Sequence, residues 1–573
     1  MARKGVAVTA TMNAPSPMRG LWRRQLDHYP DTRPRYMYLA IVVLATIMLY
    51  YEFYIPSAVS PSIIAHYGMT FNYYVYIIVV ANAVGAFGSL AAGLADRWGR
   101  ANLVSYGLLV TGVLILFGVP NAPNKATYMT LFAVVGVVEG IILVATPALV
   151  RDFSPQLGRA SAMGFWTLGP VVGSLVVAVV SSNTLSHLTA WQDQFIICGI
   201  AGIIVGIIAV VGLRELSPQL RDQLMVSLRD RALVEARARG LDVQDLTRRP
   251  WQQMLRLDII GSAFAISVFL LIYYTAVGFF TVYFSAVHNY SLSTANSIGD
   301  WFWAFDAGAL IIIGIVSDRL RVRKPFMVFG AVGAIVMTIV FLNLGVTTGY
   351  STFAVVISIL AVFLAIAYAP WMASFTETVE KHNPALTATG LAVWGWIIRA
   401  VIAISILILP SVVGSMTPLV TYGSTAISIN AQYGTELATL QAIDPKTQAT
   451  LAVNPTDPTA DATAVGEIAK AFNVSPTVAT ARLTAVGSVP PSDLLFMQAH
   501  GAQVVTAAAA APGQWRNWWW VCVGGMVLFL PLTLVMTGRW SPRRAREDAE
   551  EHERLVQQEL AALQPADAAE QEA

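Results

Sequence analysis

Four ionisable side chains stand in otherwise apolar stretches of this chain: Glu52, within Leu49-Tyr-Tyr-Glu-Phe-Tyr-Ile-Pro56, then Glu139, Asp306 and Arg399. Placing a charge at the centre of a lipid bilayer costs about 2.5–3.5 kcal/mol even on the mildest scale, so each is a functional-site candidate. Desolvation favours the neutral form of a carboxyl group, which lets it bind and release a proton near neutral pH as its access to water alternates. A guanidinium holds a carboxylate or phosphate group in a two-pronged fork, so Arg399 suits an anionic substrate group. Glu52 is the first choice for the protonation site, with Glu139 and Asp306 next. The structural alternatives are that Asp306 and Arg399 neutralise each other, or that Glu139 bonds an adjacent helix. Asp300 and Glu377 lie nearer the ends of their apolar stretches, where contact with water makes them less informative. Of the many aromatic residues, most suit packing or interfacial belts. The cluster Tyr50, Tyr51 and Tyr54 around Glu52 is the first candidate for stacking on a substrate.

Positioning such charges requires membrane-spanning helices, and the composition supplies them. Of 573 residues, 56% are hydrophobic and 12% charged, against roughly 25% charged in an ordinary soluble domain. The mean hydropathy is +0.60. Apolar stretches of about 20 residues, enough to cross a ~30 Å hydrocarbon core, number twelve, with cores at 37–60, 73–95, 102–120, 127–149, 161–181, 194–213, 257–285, 296–316, 326–346, 352–376, 385–410 and 516–537. The expected fold is an all-α polytopic membrane protein of twelve transmembrane helices in two six-helix, pseudo-symmetric halves.

Basic residues in short loops stay on the cytoplasmic side. With both termini inside, 30 of the 36 Lys and Arg residues fall on that side, leaving Lys125, Lys446, Lys470, Arg482 and Arg516 outside and Arg399 within a span. The pattern predicts a plasma membrane protein, of a bacterial inner membrane, with both termini cytoplasmic. Residues 1–36 form a basic tail without the apolar core of a signal peptide. The six-helix bundle 37–213 follows, then a cytoplasmic loop 214–256, helices 7–11 over 257–410, helix 12 over 515–538, and a helical tail over 539–573. The loop contains an amphipathic stretch from Leu220, expected to lie at the membrane surface. The segment 411–514 is far longer than a normal connection. Asp444-Pro445, Asp457-Pro458 and Ser475-Pro476 each pair a capping residue with proline at the first helical position. They predict an exofacial helical insertion between helices 11 and 12.

Two loops repeat. Ala92-Gly-Leu-Ala-Asp96-Arg97-Trp-Gly99-Arg100 follows the second span and Gly314-Ile-Val-Ser-Asp318-Arg319-Leu-Arg321 follows the eighth. Internal repeats of this kind build many secondary transporters, whose halves rock about a site near the bilayer midplane. The sequence here resembles the major facilitator superfamily, whose loop between helices 2 and 3 reads Gly-x-Leu-Ala-Asp-Arg-x-Gly-Arg followed by a basic residue. The chain departs from it at Ala92 and Ala101, and in the second copy Arg321 replaces the inner glycine. The resemblance covers roughly residues 37–410 and 516–537. It implies that Asp96, Arg97, Gly99 and Arg100 form a cytoplasmic gate with Arg151 or Asp152, that Asp318 and Arg319 are the second copy, and that helices 1, 4, 7 and 10 line a central cavity. In helix 5, Gly169, Pro170 and Gly173 fit the end of the family's antiporter pattern while its earlier glycines are absent; glycine and proline at this spacing predict close approach and a bend.

Several chemistries find no support. The chain has no Gly-x-x-x-x-Gly-Lys-Ser/Thr loop, nucleophile elbow or metal-ligand cluster, so no ATP use, enzymatic activity or cofactor is expected. Cys198 and Cys522 both fall within apolar stretches. The expected function is alternating-access transport of a small organic solute by proton-coupled symport, in a monomer whose partners are solute, protons and lipid but not nucleic acid. The alternatives are proton-driven efflux of a drug or metabolite, and a non-transporting receptor or assembly factor that uses the insertion to bind a partner.

Overall fold

A computed structural model of the protein describes residues 22, 24–90, 98–154, 166–220, 250–383, 387–454, 456–536 and 538–571. Among the described residues eleven helical stretches, some of them joining two or more of the helices named below, are long and apolar enough to cross a membrane. In chain order the helices are α1 (Thr32–Ala58), α2 (Ser60–His66), α3 (Phe71–Leu90), α4 (Arg100–Val113), α5 (Lys125–Phe153), α6 (Gly169–Thr184), α7 (Trp191–Gly212) and the short α8 (Pro250–Met254). They continue with α9 (Leu257–Phe269), α10 (Leu271–Val287), α11 (Leu292–Leu320), α12 (Lys324–Leu342), α13 (Tyr350–His382) and α14 (Thr387–Val412). After α14 come α15 (Met416–Gln441), α16 (Pro445–Val453), α17 (Pro458–Phe472), α18 (Pro476–Val486), α19 (Pro491–Phe496), α20 (Ala502–Val535) and α21 (Pro542–Gln571). Helix α6 is apolar and described over 16 residues. It packs among the longer helices in the same manner.

The packing repeats between the two halves of the chain. In the first, α3 lies on α5, α4 on α7, and α1 on both α6 and α7; in the second, α11 lies on α13, α12 on α20, and α9 on both α14 and α20. Each of these contacts therefore has its counterpart in the other half. The halves meet along α6 with α11 and along α3 with α14, which are again exchanged by the same symmetry. Every one of these helices buries its backbone hydrogen bonds internally, as a spanning segment must.

Glycines set the tightest contacts. A Cβ on Gly140 would lie 2.0 Å from the carbonyl oxygen of Gly85, and one on Gly136 would lie 2.4 Å from that of Ala81. Helices α3 and α5 thus touch backbone to backbone, the packing that small residues permit in lipid.

One face carries the first and last described stretches of the chain, β1 (Gln25–Leu26) and α21, and is called here the terminal face. The opposite cap face carries α15–α19. Each proline signal in this segment opens a helix: the Asp444 carboxylate accepts from the Lys446 amide at 2.9 Å, Asp457 from Thr459 and Ala460 at 3.0 and 2.9 Å, and Ser475 from Val478 at 3.4 Å. Ile443, Ala464, Ile468 and Ala479 form a small core of their own there, so these helices pack on one another.

Three boundaries differ from the sequence expectation. Helix α20 begins at Ala502 rather than near 516, because the alanine-rich stretch before Trp515 has high helix propensity and extends the spanning helix. The seventh expected span is two helices separated at Leu270, whose φ of −84° and ψ of 10° leave the helical region. Helix α13 runs on to His382. The amphipathic stretch of the central loop, 221–249, lies outside the described residues.

Candidate coupling and substrate site

Helical phase decides which residues of the Tyr-Tyr-Glu-Phe-Tyr stretch share a site. Tyr50 and Tyr54 are four residues apart and therefore on one face of α1, with ring centroids 5.4 Å apart. Tyr51 and Glu52 turn the other way. Glu52 is 1% exposed and lies against α4 and α7. The Thr111 hydroxyl donates to its Oε2 at 2.5 Å, while its Oε1 has no hydrogen-bond partner. A Cβ on Gly202 would lie 1.9 Å from that oxygen, so only glycine fits opposite it. Tyr51 is also buried, in electrostatic reach of Cys198 on α7. The structure thus separates Glu52 and Tyr51 from Tyr50 and Tyr54, which the sequence pattern had grouped.

Tyr50 and Tyr54 face the meeting of the two halves. The hydroxyls of Tyr50, Tyr54, Tyr273, Tyr274 and Tyr368, from α1, α10 and α13, lie within electrostatic reach of one another. Glu139 on α5 acts on Tyr50 and Tyr54. Asp306 on α11 acts on Tyr273 and Tyr368. Arg399 on α14 acts on Glu139 and on Tyr50. Arg399 of one half thus acts electrostatically on Glu139 of the other. Glu139 and Asp306 are 7% and 3% exposed, while Arg399 is half-buried.

Packing fixes these groups. Glu139 lies between Gly136 and Gly140, and a Cβ on Gly85 would come 3.4 Å from its Oε2; the glycine contact of α3 with α5 thus sets where the carboxyl group can sit. Gly169 and Gly173 bring α6 onto α1: Cβ atoms there would lie 2.6 Å from Thr46 Cγ2 and 2.6 Å from Tyr50 Cβ. Close approach is as expected. Gly169 and Pro170 stand at the start of α6, with Leu168 before them still in helical backbone at φ −71° and ψ −14°, and the stretch 155–165 in which a bend would begin lies outside the described residues. On the other side of the site, Tyr273 packs edge-on to Trp303 at 5.1 Å, and Trp371 lies 5.5 Å from Trp394.

At the terminal face Arg100 forks onto Asp152, with its Nη1 3.0 and 2.7 Å from the two carboxylate oxygens. Arg151 is half-buried beside it. Asp96 and Arg97 lie outside the described residues. In the second half Arg323 bonds Asp318 at 2.7 Å and Glu377 at 3.0 Å, whereas Arg319 is exposed. Arg100 with Asp152 and Arg323 with Glu377 occupy matching places, at the start of α4 or α12 and toward the end of α5 or α13. The sequence pattern missed Glu377 because the basic residue of the second copy is shifted by one position. Gly99, at φ 89° and ψ 135°, and Arg321, at φ 53° and ψ 28°, both take positive φ but differ in ψ, so the arginine that replaces the inner glycine makes a different turn.

Two further residues escaped the sequence reading. Glu215 accepts from the Arg100 amide at 2.7 Å. Arg24 is buried and bonds Asn102, Ser105, and the carbonyls of Ala101, Ala209 and Val210 at 2.7–3.2 Å. Short strands β1 (Gln25–Leu26) and β2 (Glu215–Leu216) pair in parallel beside them. Part of the expected basic tail is thereby built into the terminal face.

At the cap face the two halves are bonded directly. Asn296 Nδ2 on α11 donates to the carbonyl of Ala58 at 2.9 Å, and the hydroxyl of Ser293 donates to the carbonyl of Ser182 at 2.6 Å. Ser182 Oγ in turn lies within hydrogen-bond distance of Asp300 Oδ2, at 2.8 Å. Below them a cavity of about 30 Å³, room for roughly one water, is lined by residues including Ser57, Ser174, Thr281 and Trp303.

The sequence matches the Major Facilitator Superfamily profile over residues 42–407. The chain belongs to this family of multi-pass membrane transporters. It is 27% identical to the MFS transporter asaE of Aspergillus flavus over 183 residues, 30% of this chain and 41% of that protein. It is 25% identical to an MFS-type efflux pump of Mycolicibacterium smegmatis over 319 residues, 52% of this chain and 66% of that protein. The chain thus spans from about two fifths to just under two thirds of these relatives. The crystal structure of a bacterial homolog to the human lysosomal transporter Spinster, in an inward-facing and unoccupied conformation, shares the fold. It aligns with a TM-score of 0.56 at 17% identity, over 90% of this chain and 100% of that one.

Proposed function

We propose that the protein is a proton-coupled secondary transporter of a small organic solute, built of twelve spanning helices in two halves and working by alternating access as a symporter. The observation that carries this reading is the placement of Glu139 in one half within reach of Arg399 in the other, beside five tyrosine hydroxyls. Ionised Glu139 holds the guanidinium. A proton on Glu139 removes that charge and frees the Arg399 fork for a carboxylate or phosphate group of the solute. Proton and solute then bind together, which is the condition for symport, and tyrosine rings and hydroxyls supply an amphipathic surface for an organic body. The distribution of basic residues supports a plasma membrane orientation with both termini, and hence the terminal face, in the cytoplasm. Arg100–Asp152 and Arg323–Glu377 are then the cytoplasmic gate pairs.

Glu52 and Asp306 take lesser parts in this reading. Glu52 faces the interior of its own half, and among the described residues no charge from the other half acts on Asp306. Proton-driven efflux is the second reading, favoured by the similarity to the mycobacterial efflux pump. Proteoliposomes loaded with a panel of labelled organic acids and amines distinguish the two. Symport predicts accumulation of an acid inside vesicles when the outside is acidified, and efflux predicts proton-for-solute exchange in opposite directions. Glu139→Gln is expected to abolish gradient-driven accumulation while leaving solute exchange at equal pH. Accumulation undiminished in that variant would overturn the assignment of Glu139.

A further inference from the structure

Asp300, on α11, is a carboxyl group that the coupling site does not use. It lies eight residues into α11, about 12 Å along the helix from the cap face, and meets the other half through one side chain. Ser182 Oγ is 2.8 Å from its Oδ2. Its Oδ1 is buried without a hydrogen-bond partner. The surroundings of Ser182 complete the picture: its hydroxyl also lies 3.1 Å from the carbonyl of Val179, and Asn183 Nδ2 donates to the same Oγ at 3.2 Å.

We infer that Asp300 is a proton-sensitive latch, whose protonated carboxyl group holds the cap face shut by donating to Ser182. The hydrogen-bond geometry accommodates this state fully. Ser182 turns its own proton to Val179 and accepts one bond from Asn183 and one from the Asp300 hydroxyl, so every donor and lone pair of the serine is satisfied. The unpartnered Oδ1 is then a neutral carbonyl oxygen. In the ionised state the serine proton turns from Val179 to Asp300, and the second carboxylate oxygen remains buried with no donor, which is the costlier arrangement.

The neighbouring helices bring no competing charge. Helix α6 presents Ser182 and Asn183, α10 presents Thr281, and α13 presents Tyr350, whose hydroxyl accepts from Ser297 and from Trp301 Nε1 at 3.0 and 3.1 Å. His288, between α10 and α11, is bonded to Tyr283 at 3.2 Å, and Tyr290 donates to the Thr348 carbonyl. Among the described residues no charged side chain acts on Asp300. Asp300 is half-buried, and when the halves part at this face its buried Oδ1 also opens to water, so the carboxyl group exchanges its proton with that side. The latch rests on alternating access, and it stands or falls independently of Glu139.

Spin labels on Leu188→Cys and Val346→Cys, exposed positions at the cap face of opposite halves, report the closure; the native Cys198 and Cys522 are both buried. In the labelled parent protein the closed population is expected to fall severalfold between about pH 5.5 and pH 8 as Asp300 ionises. Asp300→Asn, whose amide still bonds Ser182 but does not titrate, is expected to keep one closed population throughout. Ser182→Ala retains the carboxyl group and tests the bond itself: closure at about pH 5.5 should drop toward the parent's value at pH 8. A parent distance distribution that ignores pH, or an Asp300→Asn variant that follows the parent's pH profile, overturns the latch.

Discussion

At the scale of single residues, what a buried carboxyl group does is set by what faces it rather than by its depth. Glu52 and Glu139 are comparably buried, yet one faces a threonine and a glycine of its own half and the other an arginine of the opposite half. Glu52→Gln is therefore expected to retain proton-driven transport within about twofold, since an isosteric amide still accepts from Thr111 and relieves the buried charge. Transport lost in Glu52→Gln and kept in Glu139→Gln would exchange their roles. The sequence displayed all four intramembrane charges, because charge in an apolar stretch is visible in one dimension. It did not display their partners. Tyr51 and Glu52 adjoin Tyr50 in sequence, but a 3.6-residue helical turn directs them to α4 and α7, and Arg399 comes from a helix 260 positions away from Glu139 in the chain.

At the scale of elements, the tightest constraints are steric. Gly140→Ala would drive a methyl group against the Gly85 carbonyl and push α3 from α5, which carries Glu139. A loss of about 1–3 kcal/mol is expected, read as a lowered thermal midpoint of the purified protein; an unchanged midpoint would show that α3 and α5 do not touch there. The repeated turns give a paired contrast. Gly99→Ala is expected to cost about 1–3 kcal/mol, because φ 89° is strained for a side chain and Glu215 occupies the space. Arg321→Gly should change stability by less than about 1 kcal/mol, the relief of a left-handed arginine being offset by glycine's freedom in the unfolded chain. Helix starts at Asp444, Asp457 and Ser475 were legible because caps are local chemistry. The break at Leu270 was not, since neither proline nor glycine marks it and tertiary packing alone sets it.

At the scale of the whole molecule, the two halves repeat their internal contacts and meet along paired helices, α6 with α11 and α3 with α14. This symmetry is what the proposed alternating access requires: two related bundles can close at either face with the same kind of contact. Direct bonds between the halves occur at the cap face, through Ala58, Ser182, Ser293, Asn296 and Asp300. The terminal-face ion pairs described above are each made within one half. The repeated loop revealed the two-half plan in the sequence, and apolar stretches gave most of the spans. Contacts between halves were illegible because they join polar residues of unremarkable type, such as Ser182 with Asp300, at separations above one hundred residues. Arg24 was read only as one basic residue of the tail, because its partners, such as Asn102 and the Ala209 carbonyl, are distant in the sequence.

The central claim is that a proton on Glu139 and a solute anion on Arg399 bind together. The most direct measurement is solute-dependent proton entry into proteoliposomes, followed with a pH-sensitive dye trapped inside, for the unmodified protein and for Glu139→Gln. The account predicts internal acidification only when a transported organic acid is added, and none in Glu139→Gln although the variant still exchanges labelled solute. Acidification that persists in Glu139→Gln, or solute entry with no proton movement in the unmodified protein, would contradict it.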